Sequence, residues 1–495
     1  MKRIVIIGGG ISGLATAHRA LELSKSDEQT SIVILEASSR LGGIVQSKQH
    51  NGFLLELGPD SFISEKPEAL KLTKRLGLES RLIKTNPQHR RSFIVRGGRL
   101  RPVPEGFQLL APSRMWPFFT TDIFTLFGKA RMTADLLLPR RSTNSSNYDD
   151  ESLASFVRRR LGHEALERMA QPMVGGIYTA DPEKLSLRAT LPRFLDMERE
   201  HRSIILAMLR KRPSSLKDAT GVSGARYSLF LSFDKGMEVI TEALARRVVE
   251  GSIADGRLPI ASVRTDVRLN TCISSLRPRH SANDLPAWEI KTIHGELFNA
   301  DAVCLAVPSY VAASLLEETS TSLAEKLRQI RYASTATINV AYRKQDIRHP
   351  LNGFGFVVPY VEKRSLIACT FSSIKFAGRA PQDHVLLRAF VGGDLQPEMF
   401  ALDESEMIER VRRDLSELLG IEKQPIFVEV AKWRESMPQY EVGHLDRIAA
   451  IDNELTKSPG LTLAGNAYRG AGISDCIRSG ELAAEALINW CSKTY

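Results

Sequence analysis

The chain has 495 residues, 67 Lys plus Arg against 57 Asp plus Glu, a formal charge of +10 and 43% hydrophobic residues. An ordinary apolar fraction excludes disordered and low-complexity classes, and the length suggests roughly three domain-sized units. No run of about 18 apolar residues offers a spanning helix, and no repeat of solenoid or propeller period is present.

At the N-terminus, Met1-Lys2-Arg3 passes into the apolar run Ile4 to Ile7 and then three glycines. That run is too short for a secretory leader, so a cytoplasmic chain starting at Met1 is expected. Arg3 to Ile7 reads as a strand buried on both faces. Gly8, Gly10 and Gly13 then fit G-x-G-x-x-G, and Leu14 to Leu21 has helical composition. A second apolar strand, Ser31 to Leu35, ends in Glu36. Each part has a physical task in a dinucleotide site. Gly8 permits the tight turn, Gly10 admits a pyrophosphate to the backbone, and Gly13 lets helix pack on strand. The helix N-terminus faces the phosphates, and Glu36 is placed to accept from ribose hydroxyls. The alternative, a glycine turn without a ligand, requires strand, helix and acid to coincide by chance.

Further along, residues 105–141 gather Trp116, Phe118, Phe119, Phe124 and Phe127 with Leu126, Met132 and Leu136 to Leu138. Arg114, Lys129, Arg131, Arg140 and Arg141 flank them, a pattern suited to a membrane interface. The competing reading is a helical insert that packs on the rest of the protein. Ser142 to Asp150 is expected to be a polar loop leading to a helix from Glu151 or Ser152, and Lys211 to Arg226 a flexible connection. Near the C-terminus, Leu461 to Ala464 is expected as a strand ending at Gly465, and Gly470 to Cys476 as the entry to a helix over Ile477 to Trp490. Cys272, Cys304, Cys369, Cys476 and Cys491 are odd in number and widely spaced, which argues for free thiols and against a disulfide framework or a zinc site. The basic residues are dispersed and no nucleic-acid partner is expected. His18, His163 and His444 are isolated, and no residue stands out as a general base.

After Glu36, the run Ala37-Ser38-Ser39-Arg40-Leu41-Gly42-Gly43 resembles the E-A-x-x-R-x-G-G signature of the flavin amine oxidase superfamily. Gly58, Pro59, Asp60 and Ser61, and the C-terminal Gly465 with Gly472, Ile473 and Ser474, resemble its second and third flavin segments. Within that superfamily, Gly175 to Ser186, Phe354 to Pro359, Thr370 to Ser373, Arg379 to Pro381, Phe390 to Gly393, and Trp433 with Met437 to Tyr440 resemble the protoporphyrinogen oxidases and their bacterial relatives that oxidise coproporphyrinogen III. The resemblance runs nearly end to end.

It implies noncovalent FAD, met by Gly8, Gly10, Ile11, Ser12, Gly13, Glu36, Ala37, Arg40, Gly42, Gly43, Gly58, Pro59, Asp60, Ser61, Ile273, Trp433, Gly465, Gly472, Ile473 and Ser474. It implies a porphyrinogen substrate near Gly176, Val357, Thr370 and Phe390, with Arg91 as a candidate propionate partner one residue out of the family's register. Thr370 stands where the family has a bulkier side chain. Read without the family, Phe390 would be core and Arg91 a solvated surface residue.

The implied activity is a six-electron oxidation of protoporphyrinogen IX, with hydride passing to flavin N5 in three steps and dioxygen returning hydrogen peroxide. Coproporphyrinogen III is the alternative substrate, and an amine oxidase or desaturase the rival of the same class. A non-catalytic prenyl-GTPase escort is the rival of a different class, disfavoured by the intact Glu36, Arg40 and glycines. The expected fold class is mixed α/β in three parts. A discontinuous Rossmann-like FAD-binding domain takes 1–85, 235–305 and 440–495; a mixed-sheet substrate domain takes 86–105, 200–234 and 306–439; and a helical membrane-associated cap takes 106–199. Peripheral membrane association is expected, and a homodimer is left open.

Overall fold

Ile4 to Ile7 has no polar face, so it is stable only inside a sheet covered on both sides. In the computed structural model, which describes residues 2–24, 29–141, 150–210, 230–251, 263–280 and 286–494, it lies in such a sheet. Residues 142–149 of the expected polar loop, and the expected connection Lys211 to Arg226, lie outside the described residues. The sheet is parallel, in the order Val263–Arg268, Thr30–Leu35, Lys2–Ile7, Ala302–Leu305, Leu461–Leu463. Segments hundreds of residues apart are therefore adjacent strands.

Alternation splits the central strand between two cores. Ile4 and Ile6 face the first and last helices, while Val5 and Ile7 face the layer that contains Ala312, Leu316 and Leu327. The first helix, Ile11–Leu23, starts directly after the glycines, and a Cβ on Gly13 would lie 1.9 Å from the Gly8 carbonyl oxygen. The last helix runs Ile473–Thr494 beside it, so close that a Cβ on Gly480 would lie 2.3 Å from the Ser12 carbonyl oxygen. That helix starts four residues before the expected Ile477. Its first turn, Ile473 to Cys476, is buried and continuous with the rest.

A second sheet has seven strands, in the order Phe427–Pro438, Tyr332–Arg343, His384–Gly392, Ala368–Phe371, Gly355–Val357, Phe93–Arg96, Arg99–Pro102. All neighbours are antiparallel except Gly355–Val357 against Phe93–Arg96. Ile338, Val340, Leu387, Ala389 and Val391 cover one face with the helix Glu404–Leu419. The opposite face is open to a cavity.

The described residues of 106–199 are mostly helical and share one core, which Ile204, Ile205 and Met208 of the helix Ile204–Arg210 also enter. The helix expected after the polar loop is Leu153–Arg160, with Ser152 Oγ accepting from Ser155 N. Arg160 and Asp135 pair at the centre, both fully buried; Asp135 also accepts from Ser203 Oγ at 2.6 Å and Ile205 N at 3.0 Å. The aromatic cluster divides. Phe118, Phe124 and Met132 are core, whereas Leu126 and Phe127 are 84% and 83% exposed and Trp116, Phe119 and Leu137 are also exposed. Two of the expected flanking cations face inward instead. Lys129 Nζ donates to Phe119 O, and Arg131 donates to the carbonyls of residues 158–160 that end the following helix. No described helix is long and apolar enough to cross a membrane.

Candidate active site

The glycine loop and the turn after Glu36 build one end of the site together. Gly42 N donates to Gly9 O at 2.9 Å, which docks the Gly42–Gly43 turn on the loop. Helix cap Gly10 offers no side chain to the first-turn amides, and a Cβ placed on it would meet only Gly43 Cα, at 4.0 Å. Unsatisfied helix amides beside open space are what an anion needs. The Glu36 carboxylate takes Gly9 N at 2.6 Å and Ser38 N at 2.8 Å. Asn270 N and Thr271 N donate to Ser38 O and Glu36 O, bringing Ile273 to the same edge as Ala37. Arg40 does not project freely. Its guanidinium closes the turn on Gly43 O and Val45 O and pairs with Glu238 at 3.1 Å.

Beyond the helix tips lies a cavity of about 480 Å³. Ile11 from the first helix, Ile473 and Cys476 from the last, and Gly472 just before it all reach it, so the segments near the two chain termini meet at one space. The loop before the last helix is held by Tyr440, whose hydroxyl donates to Asn466 O at 2.6 Å and accepts from Gly470 N at 2.7 Å. Tyr440 is stacked at 3.9 Å on His444, a buried ring bonded to Tyr468 O. Ser474 and Gly465 stand behind this lining rather than on it. Ser474 Oγ donates to Lys66 O, and Gly465 N donates to Ser479 Oγ.

The cavity face of the seven-stranded sheet carries the segment Glu56 to Asp60, tied at successive groups. Asn339 donates to Glu56 O, Thr337 and Trp433 to Leu57 O at 2.8 Å each, and Arg388 to Gly58 O. Lys375 Nζ reaches Asp60 Oδ2 at 2.8 Å and Ser61 Oγ at 3.3 Å. Gly58, Pro59, Asp60, Ser61 and Trp433 thereby all line the cavity. Burial would raise the Asp60 carboxyl, but the Lys375 and Arg388 cations outweigh it and hold Asp60 below the usual carboxylate range. Behind the segment, burial pushes the Glu56 carboxyl up to about 7 against the pull of Arg379.

Gly176, Val357, Thr370 and Phe390 all lie on the cavity wall, the first from the cap and the rest from the sheet. Register explains the alignment of the others. Val357 pairs with Ala368, Ala368 with Phe390 and Phe390 with Thr337, giving one row across four strands. Arg91 is exposed and does not line the cavity; its neighbour Ser92 is buried and does. Both precede the strand Phe93–Arg96, and burial begins at Ser92. Lys375 and Arg388, absent from the sequence expectation, are the cations on the wall. No local pattern marks them; an arginine within the apolar strand His384–Gly392 was the available signal. The Cys476 thiol lines the cavity too, and burial pushes it up to about 12. No cluster of metal ligands occurs among the described residues.

Comparison with known proteins follows the same outline. The family model for flavin containing amine oxidoreductases matches residues 11–488. The chain is 32% identical to a coproporphyrinogen III oxidase of Bacillus subtilis, covering 97% of each chain. It is 31% identical to the chloroplastic protoporphyrinogen oxidase 1 of Arabidopsis thaliana, covering 99% of this chain and 88% of that one. A crystal structure from Exiguobacterium sp. 255-15, provisionally named a protoporphyrinogen oxidase, superposes with a TM-score of 0.83 at 31% identity and 98% coverage of both chains. Cyclohexylamine oxidase from Brevibacterium oxydans shares the fold, with a TM-score of 0.66 at 15% identity.

Proposed function

This chain belongs to the flavin containing amine oxidoreductase family and is an FAD-dependent oxidoreductase, and on that premise we propose that it oxidises a porphyrinogen to the porphyrin in haem biosynthesis. The observation that carries the reading is the cavity at which both termini meet a flat, largely apolar sheet face, the Val357–Ala368–Phe390 row. The pyrrole rings of the macrocycle, which becomes planar on oxidation, can lie on such a face, and Gly176 opposite leaves room for a ring edge. Bound FAD supplies a two-electron acceptor that dioxygen regenerates, with hydrogen peroxide as by-product. The chain's own work is then binding, orientation and exclusion of water.

The nucleotide would lie along the Gly8–Gly13 loop with Glu36 on its ribose and Ile273 at its adenine. Its ring system would face Gly58 to Ser61, Trp433 and the N-terminus of the last helix, whose positive dipole end suits an anionic reduced ring. These residues fall in the FAD-binding part of the three-part division given above, except Trp433, which comes from the substrate-binding part. A thiol held protonated is a poor nucleophile, so Cys476 supports noncovalent FAD. Aromatisation of the macrocycle provides driving force, which removes the need for a strong protein base.

Trp116, Phe119, Leu126, Phe127 and Leu137 are large apolar side chains exposed on the cap, suited to peripheral seating on a membrane. Replacing Leu126 and Phe127 by Ser should release the protein from anionic phospholipid vesicles in a sedimentation assay without changing its flavin content. Equal sedimentation of both forms would remove the membrane role.

Anaerobic mixing of the yellow protein with each porphyrinogen tests the function. Bleaching of the flavin by protoporphyrinogen IX, by coproporphyrinogen III or by both identifies the substrate. Bleaching by neither would end the porphyrin reading.

A further inference from the structure

The sheet face that supports the apolar row carries a second row, two residues along each strand. Arg388 pairs with Thr370, and Thr370 with Gly355. Phe356 pairs with Phe93 and Phe354 N donates to Arg91 O, which sets Ser92 beside Gly355. Arg388, Thr370 and Ser92 all line the cavity. Strand spacing puts Arg388 and Ser92 about 14 Å apart with Thr370 between them.

This row is under-satisfied. Arg388 is 5% exposed, and only its Nη2 donates, to Gly58 O. Its Nε and the buried Ser92 Oγ make no hydrogen bond, and its Nη1 stands 4.0 Å from Asp60 Oδ2, beyond hydrogen-bond reach. Asp60 itself is occupied by Lys375. The charged groups that face Arg388 are Asp60, Glu56 and Lys375, and Glu56 is already engaged by Ser47, Met237 N and Arg379. Two cations on this wall, Lys375 and Arg388, therefore share the one carboxylate of Asp60, with Lys375 in hydrogen-bonding contact and Arg388 farther out at 4.0 Å. A buried guanidinium with unused donors is costly unless an anion completes it.

We propose that Arg388, with Thr370 and Ser92 along the same sheet row, forms the seat for a carboxylate of the substrate, so that the macrocycle lies on the Val357–Phe390 row with an acidic side chain turned toward Arg388. This rests on the porphyrinogen reading and adds to it an orientation and a chemical requirement. Carboxylate-bearing substituents belong on the Arg388 edge, and apolar ones would strand its donors. The same guanidinium also braces the flavin-facing segment through Gly58, so the test separates the two duties.

Flavin-loaded full-length protein and its Arg388→Met and Arg388→Lys variants are mixed anaerobically with coproporphyrinogen III and with its tetramethyl ester, and the concentration for half-maximal flavin bleaching is measured. Loss of a charged hydrogen bond should raise that concentration roughly tenfold or more for the free acid in Arg388→Met, with the ester changed less than about twofold and lysine restoring part of the effect. Parallel shifts for acid and ester, or no shift for the acid, overturn the proposal. Loss of bound FAD from Arg388→Met that lysine does not restore also overturns it, in favour of a purely bracing role. Should the methionine variant not fold, Thr370→Val leaves the Gly58 tie in place and should weaken the acid alone by about threefold; equal effects on acid and ester then count against the seat. Wild-type protein bleached neither by coproporphyrinogen III nor by protoporphyrinogen IX would instead remove the porphyrinogen reading, and the seat with it.

Discussion

The two ends of the site are built by different means. At the glycine loop the backbone is the wall: Gly13 packs on Gly8 O, the Gly42–Gly43 turn docks on Gly9 O, and space remains where Gly10 lacks a side chain. Along the seven-stranded sheet, side chains are the wall, and strand register decides which of them become neighbours. At Gly13 the first kind of surface tolerates no added atom. The second tolerates exchange of side chains and pays in selectivity, which makes it the place where relatives with one fold can differ in substrate.

The sharpest way to break this contrast is Gly13→Ala. A methyl placed 1.9 Å from the Gly8 carbonyl oxygen forces the helix off the strand, at a cost of about 3 kcal/mol or more. Expression should yield protein that is unstable and colourless; a yellow variant with an unchanged melting temperature would show that the loop is not the rigid element described. Next in size is Glu36→Ala, which removes the acceptor of Gly9 N and Ser38 N. FAD affinity measured by equilibrium dialysis should fall by about ten- to a hundredfold, with the fold retained. Unchanged affinity would contradict the ribose role.

The smallest effect comes from pH. Burial lowers His18, in the first helix, and His444, beside the last helix, to about 4 from an ordinary 6.5. Both are almost wholly inaccessible, so folding favours their neutral forms. Their contribution is complete above pH 6.5 and is lost as pH falls toward 4, on the order of 3 kcal/mol each. Glu56 acts in the opposite sense. Its raised value means stability returns as pH falls from about 7 toward 4.5. Two histidines against one carboxyl leave a net loss, read as a falling denaturant midpoint between pH 6.5 and 4. His18→Leu, set among the apolar residues of the first core, should remove most of that net fall, because His444 and Glu56 then offset each other. An unchanged profile would show that the two helix ends do not share this burial.

Much of this was legible in residue order because it is local. Strand, glycines, helix and acid follow one another within Arg3 to Glu36, and each is dictated by steric or helix-end chemistry over a few residues. The apolar entry to the last helix was legible too, although its first turn was read as a loop because Gly470 and Gly472 precede it closely. The exposure of Phe127 and the burial of Phe118 were not, since both residues belong to one aromatic run and only packing against Leu153 to Met173 separates them. Nor was Ser92 in place of Arg91 on the cavity wall, because both precede the strand Phe93–Arg96 and only packing sets where burial begins.

Composition and short motifs determined the family, the flavin chemistry and the presence of two glycine-entered helices. Tertiary structure decided that Lys375 and Arg388 share a cavity with residues from both termini, and that the two share one carboxylate, Asp60. The physical reason is range. Backbone geometry is set by neighbours along the chain, whereas the charge balance of a cavity is set by strands that meet only after folding.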